Sequence, residues 1–353
     1  MVVHSMAHDS KTTINDIAKA VGVSKTTVSR YINGHEEMMS EATRMRIRAV
    51  IEMTNFQPNN IARNLKRKKT NLIGVLLADM STPFSSALVV SIGEYLAAHG
   101  YIPIFANASE DLGREEAMID TLLANGVSGL LVNTASMENQ NLIQIACQGI
   151  PVVLCDRYIN NYNFNIVTIE QDAPFFELLK HLKNQGYTRP VLFTQPWTNN
   201  STRYRRKSAF LSAVKKIYDY DASDDIYVVD CDSKNTTSAQ LDHLIANLRP
   251  GEIPAIIGVN SVTTIQLYKA IKSRGLNMPT DIGLCGPEDW NWQPDMNWAQ
   301  LVEPNITTIC VPAKDLGTNA AKLITNIITG NKLEPQEIIL PCKLIIRAST
   351  SRL

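Results

Sequence analysis

From Leu72 onward, the chain alternates short apolar runs with amphipathic helical stretches. Apolar runs of four to seven residues fit strands that are buried on both faces by helices, as in parallel α/β folds. Nine such units are more than a single open sheet usually contains, so we predict two lobes separated by a cleft. We expect a ligand to bind where the carboxyl ends of the strands face this cleft. The predicted strands begin at Leu72, Ile102, Gly129, Val152, Val167, Val191, Tyr227, Ala255 and Ile282.

The charges are distributed unevenly, although the whole chain is formally neutral with 34 basic and 34 acidic residues. Residues 1–70 carry 12 Lys or Arg against 6 Asp or Glu, whereas the remainder carries 22 against 28. A small basic unit therefore precedes a larger acidic one. Such an asymmetry indicates a polyanionic partner for the basic end, and nucleic acid is the first candidate.

The basic end has the pattern of two short helices joined by a tight turn. Thr13 fits the N-cap of a helix that runs from residue 14 to about residue 21. Gly22 can adopt the positive φ of a tight turn, and Ser24 fits the N-cap of a second helix that ends near Ile32. This spacing predicts a helix-turn-helix.

A third helix is predicted from Glu41 to about Met53, with Ser40 as its N-cap. Four of its apolar residues recur at helical spacing, which predicts that they form its buried stripe: Ala42, Met45, Ala49 and Met53.

The polar face of the second helix distinguishes two interpretations of this basic unit. An ordinary αα-hairpin would need no particular side chains there. The face instead carries short hydrogen-bonding groups and two cations, which suit phosphates and base edges: Lys25, Thr26, Thr27, Ser29 and Arg30. We therefore predict a DNA-binding headpiece.

Several classes of function lack their sequence signals. The chain has no GxGxxG, GxxxxGK[ST], HExxH or GxSxG motif, so we predict no enzyme, no catalytic residues and no cofactor. Its six cysteines include no CxxC pair, which favours buried free thiols over a metal site. The first ten residues lack the apolar core of a signal peptide, and no segment reaches the ~18 apolar residues of a membrane span. We expect a cytoplasmic protein with no membrane partner.

The segment TTINDIAKAVGVSKTTVSRYINGH resembles the headpiece of the lactose-repressor and galactose-repressor family of bacterial transcription regulators. The resemblance continues through FQPNNIARNLKRKK, IGVLLADMSTPF, VVLCDR, RRKSAF, GVN and PNITTI. It implies a periplasmic-binding-protein-like core that follows the headpiece, with three crossovers between two lobes. The implied domains are a headpiece over 1–58, a hinge over 59–71 and a core over 72–353. We expect the first lobe to hold about 72–170 and 304–332, and the second to hold about 171–303 and 333–353.

The resemblance also implies how the DNA is held. In the family, the hinge becomes helical on the operator and inserts a leucine pair into the minor groove, and Leu65 occupies that position here. Such an apolar wedge unstacks a base step and bends the duplex, while Lys66 and the cations after it lie near phosphates. The alternative for the hinge is a solvated charged linker. The complete predicted DNA-binding set is Thr13, Ser24, Lys25, Thr26, Thr27, Ser29, Arg30, Asn33, Asn59, Ala62, Leu65 and Lys66.

Residues near the ends of predicted strands are candidates for binding a small effector. Arg206 aligns with the family's ligand-clamping arginine, and its planar guanidinium suits a carboxylate or vicinal hydroxyls. Glu288 stands where the family has a sugar-binding Asp, and an aromatic residue such as Phe84 can face the ligand or lie in the core. The predicted effector set is Asp79, Phe84, Arg157, Asn200, Thr202, Arg206, Asn260, Glu288 and Trp290, and Arg203 supplies a further cation.

These observations predict a homodimeric repressor that binds a pseudo-palindromic operator of double-stranded DNA and responds to a small carbohydrate. The mixture of cations and hydroxyl-binding groups favours a sugar acid over a neutral sugar. The alternatives are a corepressor-dependent repressor or an activator that responds to a nucleobase or another small metabolite. A solute-binding receptor shares the two-lobed fold, but the basic headpiece and the missing signal peptide argue against it.

Overall fold

The computed structural model describes residues 14–32, 39–54, 70–231, 233, 235–291, 295–330 and 334–352. The chain divides into two compact units, residues 1–68 and residues 69–353. No helix in the described part of the chain is both long enough and apolar enough to span a membrane.

The described part of the first unit contains three helices, α1 (Ile14–Val21), α2 (Lys25–Ile32) and α3 (Glu41–Thr54). The predicted turn is confirmed, because Gly22 has a φ of +71°. The predicted N-cap of α2 is also confirmed, because the backbone N–H of Thr27 donates to Ser24 Oγ at 3.1 Å. Ile17, Val28 and Ile47 are fully buried where the three helices meet.

The predicted buried stripe of α3 is wrong. Met45 and Met53 are 65% and 81% exposed, whereas Ile47 is fully buried with Val50 and Ile51 packed against the same core. Both sets of residues have helical spacing, so periodicity alone does not choose between them. The observed stripe consists of branched Ile and Val side chains, whereas half of the predicted stripe is alanine, which has little apolar surface to bury.

The second unit consists of two lobes, each built on one six-stranded sheet. The sheet of the first lobe is parallel throughout and has the strand order β11-β5-β4-β3-β1-β2. Four helices of this lobe cover the sheet in pairs, α4 with α11 on one face and α5 with α6 on the other. The elements of this lobe are β1 (Leu72–Leu77), α4 (Pro83–Ala98), β2 (Ile102–Asn107), α5 (Leu112–Ala124), β3 (Leu130–Asn133), α6 (Gln140–Cys147), β4 (Val152–Cys155), β5 (Asn165–Ile169), α11 (Ala313–Ile328) and β11 (Glu337–Leu340).

The sheet of the second lobe has the strand order β12-β10-β9-β8-β6-β7, and only its edge strand β12 runs antiparallel. Helices α7 and α8 cover one face, and α9 and α10 cover the other. The elements of this lobe are α7 (Asp172–Asn184), β6 (Arg189–Thr194), α8 (Ser201–Tyr218), β7 (Ile226–Val228), α9 (Thr236–Ala246), β8 (Pro254–Gly258), α10 (Ser261–Ser273), β9 (Gly283–Pro287), β10 (Thr307–Cys310) and β12 (Lys343–Ile345).

The chain crosses between the lobes three times, but two of the expected lobe boundaries are wrong. Residues 304–332 were expected in the first lobe, yet β10 pairs with β9 in the second sheet. Residues 333–353 were expected in the second lobe, yet β11 pairs with β5 in the first sheet. The crossings therefore fall after residues 170, 310 and 340. The run EIILPCKLII stays apolar across the last crossing, so composition does not mark it.

Candidate functional site

A cavity of about 340 Å³ lies in the cleft between the two lobes of the second unit. Its walls come from loops that follow the carboxyl ends of strands in both sheets, where ligands bind in open α/β folds. Eight of the nine residues predicted to bind an effector line this cavity: Asp79, Phe84, Arg157, Asn200, Thr202, Arg206, Asn260 and Glu288.

Arg206 is held in the wall of the cavity by a buried ion pair. Its Nη1 donates to Glu288 Oε1 at 2.9 Å and to the carbonyl of Val259 at 2.8 Å. Glu288 in turn accepts from the backbone N–H and the hydroxyl of Ser261, at 3.2 and 2.8 Å. The Nε of Arg206 is buried and has no hydrogen-bond partner among the described residues. This N–H is therefore an unsatisfied donor inside the wall of the cavity.

Asp156 was not predicted as a site residue, but it lies in the wall beside Arg206. It is 6% exposed and has a φ of +66°, a left-handed conformation that strains a non-glycine residue. Its Oδ2 accepts from the hydroxyl of Thr202 at 2.8 Å, while its Oδ1 has no partner among the described residues. Burial raises the pKa of Asp156, although Arg206 and the hydrogen bond from Thr202 oppose the rise.

Arg157 pairs with Glu110 rather than with its sequence neighbour Asp156. Its two terminal nitrogens donate to the two carboxylate oxygens of Glu110 at 2.7 and 3.2 Å. Arg203, from the second lobe, lies 3.7 Å from the same carboxylate. Burial raises the pKa of Glu110, but the charges of Arg157 and Arg203 outweigh it and hold that pKa below its ordinary value. Burial also lowers the pKa of Arg203.

Three of the predicted effector residues also stabilise local structure. Asn200 caps α8 by accepting from the backbone N–H of Arg203 at 3.0 Å. Asn260 caps α10 in the same way, and its amide donates to Gln195 at 2.8 Å. Asp79 accepts from the backbone N–H and the hydroxyl of Ser81, at 2.8 and 2.9 Å. Their contacts with a ligand would therefore be added to a capping or turn-forming role.

Of the two aromatic residues predicted to contact an effector, the structure places only Phe84 at the cavity. Phe84 is half-buried, lines the cavity and packs against the core of the first lobe. Trp290 is not part of the cavity wall. It packs against the core of the second lobe, with its ring centroid 6.0 Å from that of Trp298. Its aromatic face is therefore used in packing.

Sequence reasoning missed further polar side chains that line the cavity. Each follows or ends a strand, so the rule that ligands bind at the carboxyl ends of parallel strands could have found them. They are Glu110, Asn133, Asp156, Gln195 and Asp230.

The predicted DNA-binding face of α2 is open to solvent within the described headpiece. Ser24, Lys25, Thr26 and Arg30 are exposed, and Thr27 and Ser29 are partly exposed. The other six predicted DNA-binding residues lie outside the described residues: Thr13, Asn33, Asn59, Ala62, Leu65 and Lys66. The structure describes no group of three or more His, Cys, Asp or Glu residues that could hold a metal ion.

A helix-turn-helix unit joined to a two-lobed α/β unit with a polar cleft defines a class of protein, the ligand-responsive transcription regulators. Comparison with known proteins narrows the class to a family. Residues 70–348 match the family model of periplasmic binding proteins and the sugar binding domain of the LacI family. Residues 13–59 match the model of bacterial regulatory proteins of the lacI family. The chain belongs to the LacI family of bacterial transcriptional regulators.

Proteins similar to this chain are transcriptional regulators. The regulator KdgR of Bacillus subtilis (strain 168) is 32% identical over 339 residues, which are 96% of this chain and 97% of the relative. The ribose operon repressor of the same organism is 31% identical over 345 residues, 96% of this chain and 99% of that relative. The lac repressor dimer bound to operator and the anti-inducer ONPF has the same fold, with a TM-score of 0.68, 22% identity, and coverage of 97% and 99% of the two chains.

Proposed function

We propose that this regulator represses transcription as a homodimer on a pseudo-palindromic operator, and that a monosaccharide-sized carbohydrate in the cleft switches its affinity for DNA. Residues 1–58 would hold the operator, and residues 59–71 would act as the hinge that places Leu65 in the minor groove. The sign of the switch depends on which lobe arrangement favours DNA binding. A corepressor-dependent repressor or an activator remains the alternative.

The observation that carries the carbohydrate proposal is the lining of the cleft cavity. It has about 340 Å³ of space, one half-buried aromatic side chain, Phe84, and many polar groups. The buried Nε of Arg206 and Oδ1 of Asp156 offer one donor and one acceptor without partners among the described residues. A sugar ring presents an apolar face for Phe84 and hydroxyls for both kinds of group. Solved structures of similar fold include complexes with cellobiose and with D-xylulofuranose.

A sugar acid is our first candidate because three arginines, Arg157, Arg203 and Arg206, line one cavity. Arg203 makes the longest contacts of the three, with the Glu110 carboxylate at 3.7 Å and the Pro196 carbonyl at 3.3 Å. A ligand carboxylate can form a shorter, charge-assisted pair with such a guanidinium.

A neutral sugar is the second candidate, and the charge balance of the cavity favours it. Five carboxylates line the cavity against three guanidiniums: Asp79, Glu110, Asp156, Asp230 and Glu288. A nucleobase ranks third. A flat ring would call for aromatic faces on both sides, and only Phe84 lines the cavity in the described part of the chain.

A thermal-shift screen of the full-length protein tests the effector class. Pairs of sugars that differ only in one group separate the first two candidates, such as D-glucuronate against D-glucose and D-galacturonate against D-galactose. A ligand at 100 times its Kd stabilises a protein by about 2.7 kcal/mol, which such a screen detects. Stabilisation by nucleobases and by no sugar or sugar acid would contradict the proposal.

A further inference from the structure

One corner of the cleft holds a single carboxylate between two guanidiniums from different lobes. Glu110 and Arg157 belong to the first lobe, and Arg203 lies on α8 of the second. The Glu110–Arg157 pair is bidentate, with distances of 2.7 and 3.2 Å, whereas Arg203 is 3.7 Å from the Glu110 carboxylate. These three side chains therefore carry one positive charge in excess, and Glu110 links the lobes through Arg203.

This corner separates two spaces. Glu110 and Arg203 line both the main cavity and a second cavity of about 270 Å³ beside it. The second cavity adds hydrogen-bonding groups from Ser136, Thr198 and Asn199. A carboxylate that entered the corner would find two guanidiniums and neighbouring space into which the Glu110 side chain can swing.

Glu110 lies in a strained turn before α5 and has a partly exposed side chain. Ser109 and Glu110 have φ values of +53° and +56°, which are unfavourable for non-glycine residues. The side chain of Glu110 is 34% exposed, so part of it already faces solvent, toward which it can move. The Arg157 and Arg203 side chains are less exposed, at 13% and 19%, and therefore gain more from any anion that keeps them paired.

We propose that Glu110 is an internal competitor for the anionic group of the effector: a ligand carboxylate binds between Arg157 and Arg203 only by displacing the Glu110 carboxylate. This inference rests on the proposed function, because it concerns how the same cleft selects its effector. A neutral sugar leaves the Glu110 pairs intact. An anionic sugar replaces them and breaks the link from the loop before α5 to α8.

The simplest probe is acetate, because it tests the corner without requiring knowledge of the sugar. We would measure the protection of full-length protein against thermal unfolding by sodium acetate, with sodium chloride at equal ionic strength as the reference. For Glu110→Gln, the acetate concentration that gives half-maximal protection is expected to fall about tenfold, the equivalent of 1.4 kcal/mol. Asp120→Asn is the matched control, because Asp120 is an exposed carboxylate on α5 that lines neither cavity.

Two further variants separate the proposal from a general loosening of the fold. Glu110→Asp keeps the charge and is expected to respond to acetate within twofold of the parent. The double variant Glu110→Gln, Arg203→Gln is expected to lose the tenfold decrease in the acetate concentration that gives half-maximal protection. The inference would be overturned if the parent and Glu110→Gln needed the same acetate concentration for half-maximal protection. It would also be overturned if the double variant kept the lower concentration of Glu110→Gln.

Calorimetry with D-glucuronate and D-glucose distinguishes this inference from the proposed function. If the parent binds a sugar acid and Glu110→Gln binds it no more tightly, the internal competitor is wrong and the proposed effector class stands. If Glu110→Gln is protected by less acetate as predicted, but no sugar or sugar acid binds the parent, the role of Glu110 as a competitor for anions is supported and the carbohydrate proposal fails.

Discussion

The hydroxyl of Thr202 donates to Oδ2 of Asp156 at 2.8 Å, and this hydrogen bond joins the two lobes across the cleft. Thr202 lies in the first turn of α8 in the second lobe, and Asp156 follows β4 in the first. A second bond beside it runs in the opposite direction, from the backbone N–H of Tyr158 in the first lobe to Ser201 Oγ in the second, at 3.0 Å. The N-terminus of α8 is therefore a direct contact between the lobes.

Replacing Thr202 by valine is expected to lower the free energy of unfolding by about 1–3 kcal/mol, because the Asp156 carboxylate loses the one hydrogen-bond donor it has among the described residues while it remains buried. Urea unfolding measures the change. Thr202→Ser keeps the hydroxyl and is the control. Equal stabilities for the valine and serine variants would show that the hydroxyl contributes nothing.

Breaking the Arg206–Glu288 pair is expected to be more costly. Arg206→Met leaves Glu288 without its guanidinium in a site where the side chains are 4% and 12% exposed, a change that costs about 3–5 kcal/mol. The double variant with Glu288→Gln is expected to recover part of this loss, because no unpaired charge remains. Urea unfolding of the single and double variants gives the coupling energy. A double variant less stable than Arg206→Met would contradict the assignment.

The ion pairs of Glu110 predict a defined pH dependence. The pKa of Glu110 in the folded protein lies below its ordinary value of 4.5, so its contribution to stability is present above about pH 4.5 and is lost as the pH falls through the folded-state pKa. The difference in unfolding free energy between the parent and Glu110→Gln is therefore expected to shrink between pH 7 and pH 3.5. A difference that stays constant or grows in acid would disprove this sign.

The contact between α11 and α4 depends on a glycine. A Cβ on Gly317 would clash with Ser91 Oγ and would lie 3.2 Å from the Leu88 carbonyl oxygen. We expect Gly317→Ala to lower stability by about 1–3 kcal/mol through overpacking. Adding Ser91→Ala removes the clashing Oγ without placing a glycine inside α4, and is expected to restore part of the loss. Thermal unfolding checks both variants, and an unaffected Gly317→Ala would mean that the two helices separate without cost.

The exposed face of α2 predicts how the protein reads DNA. Arg30→Ala and Thr26→Ala are expected to change which operator sequence is preferred, with a loss of about 1–3 kcal/mol at the positions they contact. Affinity is expected to fall steeply with salt concentration. Fluorescence anisotropy on selected operators measures both effects, with Lys216→Ala, an exposed lysine of α8, as the control. Unchanged base preference in both α2 variants would reject this helix as the reader.

The sequence predicted most of the fold because buried strands and capped helices are local patterns. All nine predicted strand starts lie within two residues of an observed strand. The three strands that were missed, β10, β11 and β12, have three or four residues each, and β11 and β12 share one apolar run. Which sheet a short strand joins depends on distant pairing partners, such as β5 for β11, and no local pattern encodes that choice.

The sequence predicted which residues line the cavity, but it did not predict which of them form ion pairs with one another. Eight of nine effector candidates line the cavity because the ends of parallel strands meet at one edge of each sheet. Arg157, however, pairs with Glu110, which is 47 residues away, instead of with the adjacent Asp156. That choice follows from where the two loops meet in space. Trp290 failed as a candidate because it packs against Trp298 and the core of the second lobe, away from the cavity wall.

The order in which the chain builds its two sheets has a consequence for folding during synthesis. Helix α11, which packs beside α4 on one face of the first sheet, is made more than 200 residues after it. At a translation rate of about 5–20 residues per second, part of that face stays exposed for roughly 10–40 s, until α11 has been synthesised after most of the second lobe. Both sheets then receive an edge strand from the same late segment, β11 and β12. The first sheet is completed at residue 340 and the second only at residue 345, so a chain that stops short of residue 337 leaves the ribosome with both sheets unfinished.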